Sequence, residues 1–192
     1  MSYIPGFEPA DFGNTLDGLT NRAGNPTFTK ATLIWSKPQI LDKDTHRPFF
    51  EDNRPLLYVI IRNHHSMKKK DRICYIGLST TPKNRFKNHP KARTLSQMRG
   101  ETSLSYAYLD EENSKNVARV KPALEQIEHI LIWTLWQQLE NDRKLFVLPG
   151  MGAFAGQAWH IVNEGYRFAG QMPKEIVYPW MLVRKGRDRS NK

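Results

Sequence analysis

The chain has 192 residues and a formal net charge of +10, with 39% hydrophobic and 25% charged residues. That size and apolar content suit one ordinary domain, or one domain with arms, and exclude wholesale disorder. No run approaches the roughly 18–20 apolar residues needed to span a bilayer, so no membrane partner is expected. Residues 1–14 lack a basic stretch followed by an apolar one, so no secretory signal is expected. Cys74 is the lone cysteine. It allows neither an intrachain disulfide nor a cysteine-based structural zinc site, which fits a cytoplasmic location.

The charge is concentrated. Residues 1–61 carry six Lys/Arg against seven Asp/Glu, and residues 100–192 carry twelve against eleven. Residues 62–99 carry eleven against Asp71 alone, which accounts for the whole surplus. A basic patch this tight points to a polyanion, most often nucleic acid.

In chain order, residues 1–54 are rich in Pro, Gly, Asn, Thr and Asp, with one apolar run at Ala31–Trp35. They read as an N-terminal arm lying on the domain. Leu56–Ile61 is a continuous apolar run and predicts a buried strand; Ile73–Leu78 predicts its antiparallel neighbour. The long basic loop between them carries Lys68, Lys69, Lys70 and Arg72. Ser79-Thr80-Thr81-Pro82 is a helix start, and this helix is expected to run past Lys83, Arg85 and Lys87 toward His89, where Pro90 ends or kinks it. Lys91 and Arg93 follow. Ser103–Leu109 predicts a third strand. Pro122 then opens a strongly periodic helix, Ala123 to about Glu140.

On that helix Leu124, Ile127, Leu131, Leu135 and Leu139 share one face, and Glu128 lies in the middle of the stripe. A carboxylate there is costly unless it is paired or binds a cation. Both readings stay open: a metal ligand, or a buried salt bridge to a residue such as arginine. Further on, Gly150–Gly156 is glycine-rich but lacks the Lys-Ser/Thr of a phosphate-binding loop. Residues 157–192 mix aromatics with a basic tail.

Tyr58 on one strand, Tyr75-Ile76-Gly77 on its neighbour, Arg85 eight residues after Gly77, His89 four further on, and Glu128 on a later helix form an ordered set. The set resembles the GIY-YIG nuclease superfamily over roughly residues 55–145. Asn141 falls where that family often has an asparagine. The first motif departs from the pattern, reading Leu56-Leu57-Tyr58, and the tyrosine spacing is longer than in compact members. The resemblance implies an α/β fold, with a small central antiparallel three-stranded sheet flanked by helices. Residues 1–54 would be the arm, 55–149 the nuclease core and 150–192 a C-terminal extension.

It also implies a metal-dependent endonuclease acting on DNA. Tyr58, Tyr75, Arg85, His89 and Glu128 would be catalytic, and Glu128 would hold one Mg²⁺ or Mn²⁺. By resemblance, Tyr58 would take the proton from the attacking water, while Arg85 can clamp the phosphate bidentately. His89 could orient a tyrosine or the water, or shuttle a proton. Gly77 and Asn141 would support the site. Lys68, Lys69, Lys70, Arg72, Lys83, Lys87, Lys91 and Arg93 would grip the backbone of the nucleic acid. A stand-alone restriction or phage-defence nuclease is the first expectation and a phage-borne or homing-type enzyme the second. A non-catalytic nucleic-acid binder keeping the fold is the competing class. Strandedness, DNA versus RNA and a homodimer stay open.

Overall fold

A computed structural model of the chain describes residues 23–24, 27–64, 70–109, 117–145, 147, 149, 158–179 and 182–184. Residues 1–22, Lys68, Lys69, the glycine-rich 150–156 and the basic tail after Arg184 lie outside that set.

Among the described residues, eight strands form one mixed sheet: β1 (Thr29–Trp35), β2 (Gln39–Ile40), β3 (Leu56–Asn63), β4 (Arg72–Ser79), β5 (Glu101–Leu109), β6 (Trp159–Gly165), β7 (Glu175–Tyr178) and β8 (Leu182–Arg184). The order across the sheet is β4-β3-β5-β1-β6-β7-β8, with β2 also pairing with β5. The expected hairpin is present: β3 and β4 are antiparallel, with Tyr58 opposite Gly77, and a register shift follows Ile60. β3 also pairs antiparallel with β5, placing Tyr58 opposite Tyr106. These are the three strands the sequence predicts, and Leu56–Arg62 is buried throughout.

The sheet is larger than the three strands expected, and it is mixed. Thr29–Trp35, inside the segment expected as an arm, lies between β5 and β6. It is antiparallel to β5 and parallel to β6. Its inward residues Ala31, Leu33 and Trp35 are buried, while Lys30 and Ile34 are exposed, which is the period-2 pattern of a strand with one covered face. The segment after residue 158 adds three more strands.

Helices cover the motif half on both sides. The helices are α1 (Pro82–Arg85), α2 (Pro90–Gln97) and α3 (Val117–Leu135). α3 buries Leu124, Ile127, Leu131 and Leu135 against Leu57, Val59, Ile61, Ile73 and Ile76 on one face of the sheet. Each such side chain contributes roughly 1.5–3 kcal/mol on full burial. Phe86, Ala92 and Leu95 of the α1–α2 segment pack with Leu56, Tyr58, Ile60 and Leu104 on the other face.

Three helix boundaries differ from expectation. The helix starting at Pro82 stops at Arg85, and Pro90 begins a second helix rather than ending the first. A proline suits the first helical turn because its missing N–H has no helical partner there, and His89 supplies the N-cap. α3 starts at Val117, so Pro122 lies inside it instead of opening it, and the helix ends at Leu135. Trp136–Gln138 is a 3-10 turn, after which Leu139 remains buried. Among the described residues, no helix is long and apolar enough to cross a membrane.

Candidate active site

Tyr58 projects from the middle of β3 toward the α1–α2 segment and is fully buried as a residue. Its ring passes over Gly77 of the neighbouring strand. A Cβ at position 77 would lie 2.5 Å from both Cζ and Oη of Tyr58 and 2.9 Å from Cε1 of Tyr75. The glycine is required there because two aromatic rings occupy the space a side chain would take. The Tyr58 and Tyr75 rings stack at 6.1 Å between centroids and 27° between planes.

His89 closes the site from above. Its Nδ1 accepts the N–H of Ala92 at 3.1 Å, capping α2, and its Nε2 lies 2.7 Å from Tyr58 Oη. Burial, with the Arg85 cation second, lowers the His89 pKa from 6.5 to about 4. The ring is therefore neutral near pH 7. Because Nδ1 is used as an acceptor, the one ring proton sits on Nε2, and His89 donates to the Tyr58 oxygen. The Tyr58 hydroxyl proton is then free to point elsewhere. Phe86 holds this geometry, stacking on His89 at 4.9 Å and meeting Tyr58 edge-on at 4.9 Å.

Burial raises the pKa of Tyr58, Tyr75 adds to the rise, Arg85 opposes it, and Glu128 adds a smaller rise. For Tyr75, burial comes first and the Glu128 charge second, again opposed by Arg85. Burial works against the Arg85 charge, but the Tyr58 and Tyr75 hydroxyls more than offset this and raise its pKa. The splitting of the helix thus leaves Arg85 at the end of α1 and His89 at the start of α2, both turned on the same pair of phenols. Their spacing of four residues is not a helical turn.

Glu128 comes from α3, on the opposite face of the sheet. β4 is the sheet's edge, so α3 beside it brings the carboxylate close enough for its charge to act on both tyrosines. Its side chain is 13% exposed and is paired with Lys144, whose Nζ lies 2.5 Å from Oε2. The salt bridge anticipated for this position is therefore present, with a lysine as partner. Among the described residues, no group of three or more His, Cys, Asp or Glu gathers as a metal cage. The donor set fits an ion held through one carboxylate and completed by water and substrate oxygens, the usual way in which Mg²⁺ binds.

Asn141 has a defined structural task. Its carboxamide donates to the Ile76 carbonyl at 2.7 Å and accepts the Ile76 N–H at 3.1 Å. It thereby serves the open edge of β4 as a neighbouring strand would, and fixes the residue between Tyr75 and Gly77.

The basic residues divide into two groups. Lys83, Lys87 and Arg93 are exposed on the α1–α2 segment that carries Arg85 and His89. Lys91, in the same segment, pairs with Glu140 at 3.7 Å. Lys70 and Arg72 lie toward the hairpin tip, with Arg72 five residues along β4 from Gly77, roughly 16 Å at strand rise. A cavity of about 810 Å³ opens at that end, lined among others by Asp42, Lys43, His64, Lys70 and Glu101. Its lining is of mixed charge and includes none of the five catalytic candidates. Lys68 and Lys69 lie outside the described residues.

Two residues at the site were not foreseen. Phe86 is legible only as an apolar residue after a short helix. Lys144 is sixteen residues beyond Glu128 and carries no local signal. Scans against family models, curated proteins and solved structures found no match to this chain.

Proposed function

We propose that the chain is a divalent-metal-dependent endonuclease of the GIY-YIG type, hydrolysing phosphodiester bonds in DNA. The observation that carries this reading is the convergence of Arg85, His89 and the Glu128 charge on the Tyr58–Tyr75 pair, around a glycine that the two rings require. An ion on Glu128 would supply charge stabilisation at the departing oxygen. Arg85, beside both phenols, clamps the phosphate and lowers the cost of a tyrosinate. Tyr58, ionised once its own proton has passed to solvent, takes a proton from the attacking water, and His89 holds its oxygen by donating from Nε2. Lys83, Lys87 and Arg93 present charge to the flanking phosphates. A restriction or phage-defence setting is the first we would test.

The Lys144–Glu128 pair favours a second reading, a nucleic-acid binder that keeps the fold without cleaving. One experiment separates them. Supercoiled plasmid, single-stranded DNA and RNA are incubated with the protein in Mg²⁺, Mn²⁺ or EDTA, and product ends are mapped. The nuclease reading expects metal-dependent cleavage that Glu128→Gln abolishes with DNA retention intact, and that Tyr58→Phe reduces at least 100-fold, consistent with the size of acid–base contributions. Unchanged cleavage by Glu128→Gln would remove the metal role, and retention without cleavage in every metal would favour the binder.

A further inference from the structure

Glu128 lies in an apolar stripe, where an unpaired carboxylate would be costly. Lys144 removes that cost in the protein alone. Its ammonium reaches Oε2 at 2.5 Å from the solvent side, with 33% of its side chain exposed against 13% for the carboxylate. The lysine is held in place by its own segment. Asn141, three residues earlier, is bonded at both amide atoms to Ile76 in the tyrosine–glycine strand. The Lys144 backbone adopts a left-handed φ of 66°, and its Nζ also reaches the Glu125 carbonyl at 3.5 Å. The ammonium thus stays beside α3 when the carboxylate is engaged elsewhere.

A divalent ion held through Glu128 needs the carboxylate that Lys144 occupies. Displacing a well-placed ammonium leaves that cation without a partner, and one carboxylate offers the ion little in return. A substrate phosphate changes both sides of this exchange. It brings oxygens that complete the coordination of the ion, and an anion for the released ammonium.

We propose that Lys144 is the resident counterion of Glu128 and exchanges it for substrate phosphate, so that the divalent ion and the nucleic acid bind cooperatively. The proposal rests on the nuclease reading and deepens it. Lys144 is a positioning residue here: it acts through Glu128 and prevents the ion from loading before the substrate. By the reciprocity of linked binding, the ion strengthens nucleic-acid binding by the same factor that nucleic acid strengthens ion binding.

The test measures Mn²⁺ binding to the full chain by the electron paramagnetic resonance signal of free Mn²⁺, alone and with a phosphorothioate duplex that resists cleavage. The wild type is expected to bind Mn²⁺ weakly alone and roughly tenfold more tightly with the duplex, within the range typical of coupled sites. Lys144→Met should bind Mn²⁺ alone roughly tenfold more tightly than wild type and lose most of the duplex effect. Lys144→Arg, which keeps the cation, should restore coupling, and Lys144→Gln serves if the methionine variant does not fold. If Glu128→Gln loses Mn²⁺ binding while Lys144→Met and Lys144→Gln match wild type, the counterion role is overturned and the nuclease reading stands. If Glu128→Gln keeps wild-type Mn²⁺ affinity, the ion is not on Glu128, and both fall.

Discussion

At the β3–β4 edge and at the β1–β6 junction the sheet uses the same three residue types. Gly77 leaves room for the rings of Tyr58 and Tyr75, whereas Gly165, at φ 77°, leaves room for main chain: a Cβ there would lie 2.4 Å from the Trp35 carbonyl oxygen. Asn141 bonds both backbone groups of Ile76, while Asn163 accepts the Trp35 indole N–H at 2.9 Å and donates to the Pro173 carbonyl at 2.9 Å. His89 meets a phenol at 2.7 Å, and His160 meets the Glu175 carboxylate at 2.6 Å. In the second half these contacts brace one strand against another and end there. In the first, Gly77 and His89 meet at the Tyr58 hydroxyl, which also feels Arg85 and Glu128, while Asn141 fixes the strand between the tyrosine and the glycine. Buried polar residues with partners are ordinary in a folded core. Convergence of unlike charges on a single titratable group is the feature by which the first half is read as a candidate site.

The sharpest way to break this contrast is to add one methyl group in each half. Gly77→Ala places a carbon 2.5 Å from Tyr58 Oη and Cζ, so the ring must move. Displacement by about 1 Å can cost a factor of roughly 100 in rate, and overpacking typically costs about 1–3 kcal/mol. The expected result in a plasmid-cleavage assay is a loss of at least that factor, with a folded protein by circular dichroism. Gly165→Ala meets main chain at a left-handed φ and should cost about 1–3 kcal/mol in urea denaturation, with cleavage per folded molecule unchanged. If Gly165→Ala lost activity as severely while still folded, the two halves would not be separable, and the outer strands would belong to the site.

The same contrast explains what the sequence made legible. β3, β4 and β5 are short apolar runs close together in the chain, and the tyrosines, Gly77, Arg85, His89 and Glu128 stand in the order and spacing that carry the family resemblance. β1 was visible as the run Ala31–Trp35, but its role was not. Its parallel partner begins at Trp159, paired with Thr29, and no local signal links segments so far apart. The break after Arg85 was hidden because Pro90 can end one helix or start the next; a histidine N-cap decided the second. Asn141 was legible as a residue type but not as a substitute for a strand, because its partners are the backbone atoms of Ile76. Lys144 was hidden for the reason β1 was: the contact that gives it meaning is made in space, from a turn whose left-handed φ a lysine does not announce.

A smaller effect sharpens the comparison at His89. Burial and Arg85 hold its folded pKa at about 4, below the ordinary 6.5. A depressed pKa means that the folded state favours the neutral ring, while the unfolded chain takes up a proton near pH 6.5. The stability gained from the neutral ring is therefore complete above pH 6.5 and is lost as pH falls from 6.5 toward 4. Wild type and His89→Gln are compared by urea denaturation between pH 7.5 and 5, above most carboxylate titrations, so that contributions from the other histidines cancel. The stability difference between the two should shrink by about 1–2 kcal/mol on going to pH 5, at 1.36 kcal/mol per pH unit. A constant difference across that range would mean that His89 takes up a proton in the folded protein as easily as in the unfolded one. Its Nδ1 could then not be held as the fixed acceptor of the Ala92 N–H, the contact from which the Nε2 proton is assigned. The chain would retain a buried histidine–tyrosine contact of the bracing kind, and the asymmetry between the two halves would rest on Arg85 and Glu128 alone.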